Sequence, residues 1–518
     1  MQNLEQELTT ILNIIEAREQ QINTMVSGVH PDYQLSAKNL CRYLILRSFD
    51  LRAYHGRLSD AGVSALRSSE GYVLNNLKNV VNNLRLILGK KADYFAENDV
   101  IDYQKSKKLI KKHANALFNK NKNTHFTEIM VTLPDEAAED EQIVRQMVSN
   151  GMEIARINLS HGNLEMWQKM VAIVRKIGRE SKSDIKIYMD LSGPKIRTAA
   201  IEYTNEKGKL RDAIRVRQGE HILLTKRKTN GRPSVFGERN EQLQMAEVGV
   251  LLPNIIDDVR INDTILFDDG MIKGIVVQKS ATDVELVLTE CYKNKLGSNK
   301  GINLPQTQLQ LPALTDKDLS LLPFVCQNAD MVGYSFVRTG EDVAYLFEQL
   351  KMLKADDLGV VFKIENQEAF CNLPEILLAG MQRNKIGVMI ARGDLAVELG
   401  FERISEVQNQ ILWFCEAAHI PVIWATQVLE NLAKTGIPTR AEISDAAQSA
   451  QAECVMLNKG PHINQAIKTL KNVLVRMESH GFKKKDSLRS LNIAKNATER
   501  LGISQHSPIP IEVFLQTN

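Results

Sequence analysis

Eight short β-branched runs, each trailed by an amphipathic stretch, are the feature that most limits what this chain can become. They fall at 127–132, 153–158, 185–190, 330–335, 359–364, 386–391, 421–425 and 453–457. Strands alternating with helices build a parallel sheet, and eight such units close a barrel. The spacing breaks once. Between the third and fourth runs, residues from about 200 to 300 are rich in Val, Ile, Thr and Gly and read as antiparallel strands of an inserted β domain. Leaving and rejoining the barrel at one rim, the insert is placed to act as a lid that excludes water.

Upstream, up to about residue 120, apolar positions recur at helical spacing: Leu4, Leu8, Ile11, Ile15, then Leu40, Leu44, and later Leu77, Val81, Leu84, Ile87. This predicts an all-α module, with Ser36 as an N-cap and turns near Gly56 and Gly62. Lys105, Lys107, Lys108, Lys111, Lys112, Lys120 and Lys122 form a basic segment, read as a solvated helix face or linker rather than a polyanion site.

The length of 518 residues suggests two to four domains, and 43% hydrophobic with 25% charged residues fits a soluble globular protein. A net charge of +3 is too small to imply nucleic acid. Met1-Gln2-Asn3-Leu4-Glu5 lacks the basic start of a signal peptide, and no run of about 18 apolar residues follows, so a cytoplasmic protein without a membrane span is expected. Six scattered cysteines, none paired at metal-ligand spacing, argue against a zinc site.

Barrels of this kind do their chemistry at the C-terminal ends of the strands. Those positions hold Thr132 and Pro134; Arg156, Asn158 and Ser160; Asp190, Lys195 and Arg197; Ser335 and Arg338; Lys363 and Glu365; Asp394; Thr426 and Gln427. Glu365 and Asp394, on neighbouring strands, could converge on a hard divalent cation such as Mg²⁺ or Mn²⁺, or could be ordinary salt-bridged carboxylates. Arg156 and Arg197 carry planar forks suited to phosphate, and Lys363 shares a strand face with Glu365. Gly393 lets backbone N–H groups approach an anion. Thr426 can relay a proton or be structural; His161 can contact a nucleotide or pack. Asp268-Asp269-Gly270 makes a hairpin turn that can face the closed site.

These residues lie in blocks that occur in one family's order: Ala-Arg-Ile-Asn-Leu-Ser-His-Gly (155–162), Asp-Leu-Ser-Gly-Pro-Lys-Ile-Arg-Thr (190–198), Asp-Asp-Gly-Met-Ile (268–272), Lys-Gly-Ile-Asn-Leu-Pro (300–305), Ser-Phe-Val-Arg (335–338), Lys-Ile-Glu-Asn (363–366), Ala-Arg-Gly-Asp-Leu (391–395), and Ala-Thr-Gln (425–427) with Pro-Thr-Arg-Ala-Glu (438–442). Over roughly 125–470 the chain resembles pyruvate kinase. The resemblance implies an α/β fold, a (β/α)₈ TIM barrel with an inserted β-barrel lid and an all-α N-terminal domain. The segments would be 1–123 (helical extension), 124–198 with 302–480 (barrel), 199–301 (lid) and 481–518 (tail).

It also implies glycolytic phosphoryl transfer from phosphoenolpyruvate to ADP with Mg²⁺ or Mn²⁺, in an assembly of identical chains. Arg156 and Lys363 would hold the phosphoryl group, Glu365 and Asp394 the divalent metal, and Gly393 and Asp394 backbone groups the substrate carboxylate. Thr426 would assist enolate protonation, and Pro134, His161, Arg197 and Lys300 would meet the nucleotide. Asn158, Ser160, Asp190 and Leu191 match monovalent-cation ligands, but Lys195 stands where K⁺-dependent members have Glu, so its ammonium can replace K⁺ and activity without K⁺ is expected.

Three departures accompany the match. The first strand ends Val131-Thr132-Leu133-Pro134, one residue shorter than the family pattern, and the eighth ends Leu457-Asn458-Lys459-Gly460-Pro461. After the barrel about 40 residues remain, too few for the family's effector domain. Two other readings stay open: a lyase acting on phosphoenolpyruvate or the pyruvate enolate on a related barrel, and a non-catalytic regulatory descendant.

Overall fold

The structure, a computed structural model, describes residues 1–64, 66–92, 100–118, 127–205, 208–478 and 491–503. Lys120 and Lys122 of the basic segment, and most of the tail from 481, lie outside them.

Eight parallel strands close a barrel: β1 (Glu128–Thr132), β2 (Ile154–Asn158), β3 (Lys186–Asp190), β4 (Met331–Tyr334), β5 (Gly359–Ile364), β6 (Ile386–Ala391), β7 (Val422–Ala425) and β8 (Cys454–Leu457). Each expected run contains its strand to within a residue or two, because strands buried on both faces are near-continuous apolar runs. β8 returns to β1, pairing Met130 with Met456, and closure removes both sheet edges.

Three helices that follow strands or their loops, Asp316–Asn328, Gly340–Met352 and Arg440–Gln448, begin in full capping boxes on Thr315, Thr339 and Thr439. Two of these boxes do more than start a helix. The Asp318 carboxylate also accepts the Ser192 and Gly193 N–H groups at 2.9 and 3.2 Å, and Asp342 accepts the Arg338 N–H at 2.8 Å. The helix starts thereby hold the loops after β3 and β4 on the rim.

The insert between β3 and β4 has its own apolar core, from Ile196 to Leu304. Its main sheet has six strands in the order Ala246–Gly249, His221–Thr225, Asp283–Cys291, Ile272–Lys279, Thr264–Phe267, Ile302–Asn303, the first pair parallel and the rest antiparallel. The incoming linker joins the two edge strands, Arg197 pairing with Gly301 beside Ile302–Asn303 and Thr198 with Val250 beyond Ala246–Gly249, so short bridges close the insert into the β-barrel expected of it. Its two linkers run side by side, Thr198 donating its N–H to the Lys300 carbonyl at 2.8 Å.

The N-terminal module is helical, with helices Gln2–Glu16, Glu19–Met25, Gln34–Arg47, Arg52–Asp60, Val73–Ile87 and Tyr103–Leu117. Two local expectations are corrected. Ser36 lies inside a helix, fully buried, its hydroxyl against His419 Nδ1 at 3.0 Å, and Gly56 sits within Arg52–Asp60, whereas Gly62 does turn the chain at φ +64°. Lys107, Lys108, Lys111 and Lys112 are exposed on one helix, as a solvated face requires.

This module shares one continuous core with the outer helices of the barrel. The end of its last helix also enters the barrel. Leu117 and Phe118 join the interior layer with Met130, Tyr188, Met331, Val361 and Met389 at the floor. Gly359 and Gly387 make the room, since a Cβ at either would lie 2.7 or 2.6 Å from a Leu117 methyl. Within the tail, helix Asn492–Arg500 packs back on Gln34–Arg47, with Arg500 Nε on Glu375 at 2.6 Å.

Candidate active site

At the rim, Arg156 near the end of β2 directs Nε and Nη2 to one oxygen of Asp190, at 2.9 and 2.6 Å, and Nη1 to Thr132 Oγ1 at 2.8 Å. The other Asp190 oxygen accepts the Tyr188 hydroxyl at 2.9 Å and faces Lys363 Nζ at 3.4 Å. Burial works to raise the Asp190 carboxyl, but the Lys363 and Arg156 charges outweigh it and hold it below the ordinary range. Asp190 thus holds two cations together at a buried point of the rim.

Lys363 Nζ donates to Ser335 Oγ at 2.7 Å, and Ser335 in turn donates to the Leu191 carbonyl at 2.6 Å. Burial alone would depress the Lys363 ammonium; the carboxylates of Asp190 and Glu365, the latter at 3.5 Å, raise it instead. Glu365 accepts the Phe336 N–H at 2.7 Å through Oε1. Burial, reinforced by Asp394, pushes its carboxyl up against the pull of Lys363. Two mutually repelling carboxylates with hard oxygen donors fit a divalent cation. Among the described residues no group of three or more His, Cys, Asp or Glu gathers into a cage, so such an ion would draw its remaining oxygens from substrate and water.

Asp190, expected beside Asn158 and Ser160 at a monovalent-cation site, accepts two hydrogen bonds from Arg156 and one from Tyr188 and faces Lys363 at 3.4 Å. The Lys195 ammonium donates to Asp394 Oδ1 at 2.7 Å. The Leu191 carbonyl accepts the Ser335 hydroxyl at 2.6 Å. The Gly393 N–H, expected on a substrate carboxylate, donates to Thr426 Oγ1 at 2.7 Å, while Asp394 lies in the first turn of helix Arg392–Leu399.

Thr426 is strained, at φ +66°, a conformation a β-branched residue rarely adopts and one that collects at functional sites. Arg392 holds it there, donating Nη2 to the Thr426 carbonyl at 2.6 Å and Nε to that of Ala425 at 3.1 Å, with Asp445 behind it at 2.9 Å. The sequence reading overlooked Arg392 and Tyr188 as site residues. Adjacency to Gly393 and the two-residue period of β3 were the available signals.

The expected nucleotide contacts are dispersed. Arg197 donates to the Asn299 carbonyl at 3.0 Å, and Lys300 pairs with Asp268 at 3.1 Å beside Lys293 at 2.6 Å. Asp268-Asp269-Gly270 does form the hairpin turn, and its glycine meets Val397 and Phe401 at the rim. Between the two shortened or altered loops, Lys459 reaches Asp135 at 2.9 Å across a cavity of about 30 Å³ that His161 lines and Pro134 adjoins. That is room for about one water, not a nucleotide base.

The sequence model of a family described as pyruvate kinase, barrel domain, matches residues 124–467, the whole of the barrel with its insert. The chain belongs to the pyruvate kinase family. It is 31% identical to the pyruvate kinases of Staphylococcus aureus strains USA300 and NCTC 8325 over 396 residues, which is 75% of this chain. The chain spans 63% of the length of those relatives. A crystal structure of a pyruvate kinase from Cryptosporidium parvum superposes with a TM-score of 0.59 at 26% identity, covering 68% of this chain and 70% of that one. Pyruvate kinase similarity thus covers the rim clamp. Among the described residues no helix is long and apolar enough to cross a membrane.

Proposed function

We propose that this protein transfers the phosphoryl group of phosphoenolpyruvate to ADP, giving pyruvate and ATP, as a glycolytic enzyme. The carrying observation is the clamp in which Asp190 holds Arg156 and Lys363 beside Glu365. The P–O bond to the enol oxygen breaks, a bond to the ADP terminal phosphate forms, and the enolate takes a proton on carbon. Arg156 meets the moving phosphoryl oxygens with a planar fork, and Lys363 balances charge on both phosphoryl and enol oxygens. Thr426 would pass a proton through water to the enolate carbon. Mg²⁺ or Mn²⁺ held by Glu365 and Asp394 would supply further charge neutralisation.

K⁺ is not required in this reading, because Arg156, Lys363 and Lys195 already furnish fixed cations around Asp190 and Asp394. An absolute K⁺ requirement at saturating Mg²⁺ would refute that part. Self-assembly follows from the same family reading, and light scattering of the full chain checks it.

The test is purified protein with phosphoenolpyruvate, Mg²⁺ and ADP, followed for ATP and pyruvate together, with Lys363→Met as the control that abolishes both. Pyruvate without ATP would replace the proposal by lyase or phosphatase chemistry. One observation favours a second reading: the Lys459–Asp135 bridge crosses the expected nucleotide loop. A chain that binds phosphoenolpyruvate but neither binds ADP nor turns over would be the non-catalytic descendant.

A further inference from the structure

Behind the lid hinge lies a cavity of about 320 Å³ that none of Arg156, Lys363, Glu365, Asp394 or Thr426 lines. Its walls come from both linkers of the insert, Pro194–Ile196 and Ile302–Leu311, and from the loops after β4 and β5. Arg338 forms part of the wall with its side chain only 10% exposed. Its backbone is fixed, the N–H by Asp342 and the carbonyl by Asn372 at 3.0 Å. The guanidinium is only loosely paired, its Nε standing 3.7 Å from the Glu368 carboxylate.

A largely buried guanidinium with a fixed backbone and only a loose ion pair, in the wall of a half-open pocket of ligand size, points to an anion that completes it. Glu368 and Glu398 share the cavity; burial raises both carboxyl groups, Glu398 to about 7, and the charge they keep disfavours a doubly charged phosphate more than a singly charged ion. A carboxylate carries one charge and presents two coplanar oxygens to the Arg fork. The rest of the wall includes Ile302, Leu304, Leu309, Leu311 and Phe336, so the body of the ligand is apolar.

The geometry points to a second binding site in this hinge cavity for a small monocarboxylate with a branched or aromatic apolar body, its carboxylate on Arg338. Such an occupant touches both linkers and the barrel at once and therefore ties the lid to the rim. The site is separate from the phosphoryl clamp, and its test needs no turnover, so its failure and that of the proposed activity are distinguishable.

Isothermal titration calorimetry of the full chain with isovalerate tests it. Wild type binds, and Arg338→Met weakens binding at least about tenfold by removing a charge-assisted pair. Leu309→Trp, which fills the cavity and leaves Arg338 in place, does the same while melting as wild type does. Isovalerate also slows amide exchange at 302–311. The inference is overturned if wild type shows no binding, if both variants bind as wild type does, or if isoamylamine, the cationic isostere, binds as tightly. Tighter binding of inorganic phosphate would likewise overturn the carboxylate assignment.

Discussion

The Tyr188 hydroxyl donates to Asp190 Oδ1 at 2.9 Å in a space that exists because residue 333 is glycine: a Cβ there would lie 1.9 Å from the hydroxyl and 2.3 Å from the carboxylate. Tyr188 therefore couples the barrel interior to the clamp. Tyr188→Phe keeps the ring and removes the bond, so stability should fall by about 1–2 kcal/mol and turnover by roughly tenfold, with substrate KM little changed. Gly333→Ala should cost far more activity. Steady-state kinetics beside thermal melts decide this, and a Tyr188→Phe enzyme at wild-type rate would sever the link.

A divalent cation held by Asp394 would compete there with Lys195. The ammonium is 2.7 Å from Oδ1 and partly solvent-exposed, a pair worth about 0.2–1 kcal/mol. Lys195→Met should lower the Mg²⁺ concentration for half-maximal activity by a few-fold. A raised Mg²⁺ requirement would show that the lysine assists the metal instead of opposing it.

His419 ties the helical module to the barrel. Its ring accepts from Ser36 and donates Nε2–H to the Gly71 carbonyl at 2.9 Å, and burial, with His113 nearby, lowers its pKa to about 3. Unfolded, the ring protonates near its ordinary value of about 6.5, so between there and pH 3 the unfolded chain binds more protons and stability falls as pH falls. The slope from this group is about 1.4 kcal/mol per pH unit. Denaturant titrations at descending pH should show it, and His419→Asn, suited to the local φ of +50°, should flatten it.

Leu117 fills the barrel floor. Leu117→Ala should cost about 2–5 kcal/mol, as buried leucines do when the surroundings cannot collapse. A melt unchanged from wild type would mean that the floor is filled by other side chains.

The barrel was legible because its signal is local: Val360, Val361, Phe362 and Ile364 announce β5 without reference to any other segment, and the rim residues follow by position. What failed was the choice of partners. Ser36 has the chemistry of a cap, yet its hydroxyl is used by a histidine 383 residues away. That Arg156, Tyr188 and Lys363 converge on Asp190 is likewise something no local window says. The lid's strands were readable too, whereas its closure through Arg197 and Thr198 depends on linkers that no short window shows. Arg338 stood on the rim in sequence; that it faces a cavity behind the hinge is a property of two linkers folded together.

Gly359 and Gly387, bare because Leu117 occupies their space, mean that this barrel and its extension were cut to one another. Trimming at residue 124, where family similarity starts, would expose a pit lined by glycines in place of a floor. An extension borrowed from elsewhere would need a matching pair of small residues beneath it. The seam that homology draws here runs through the middle of a single mechanical part.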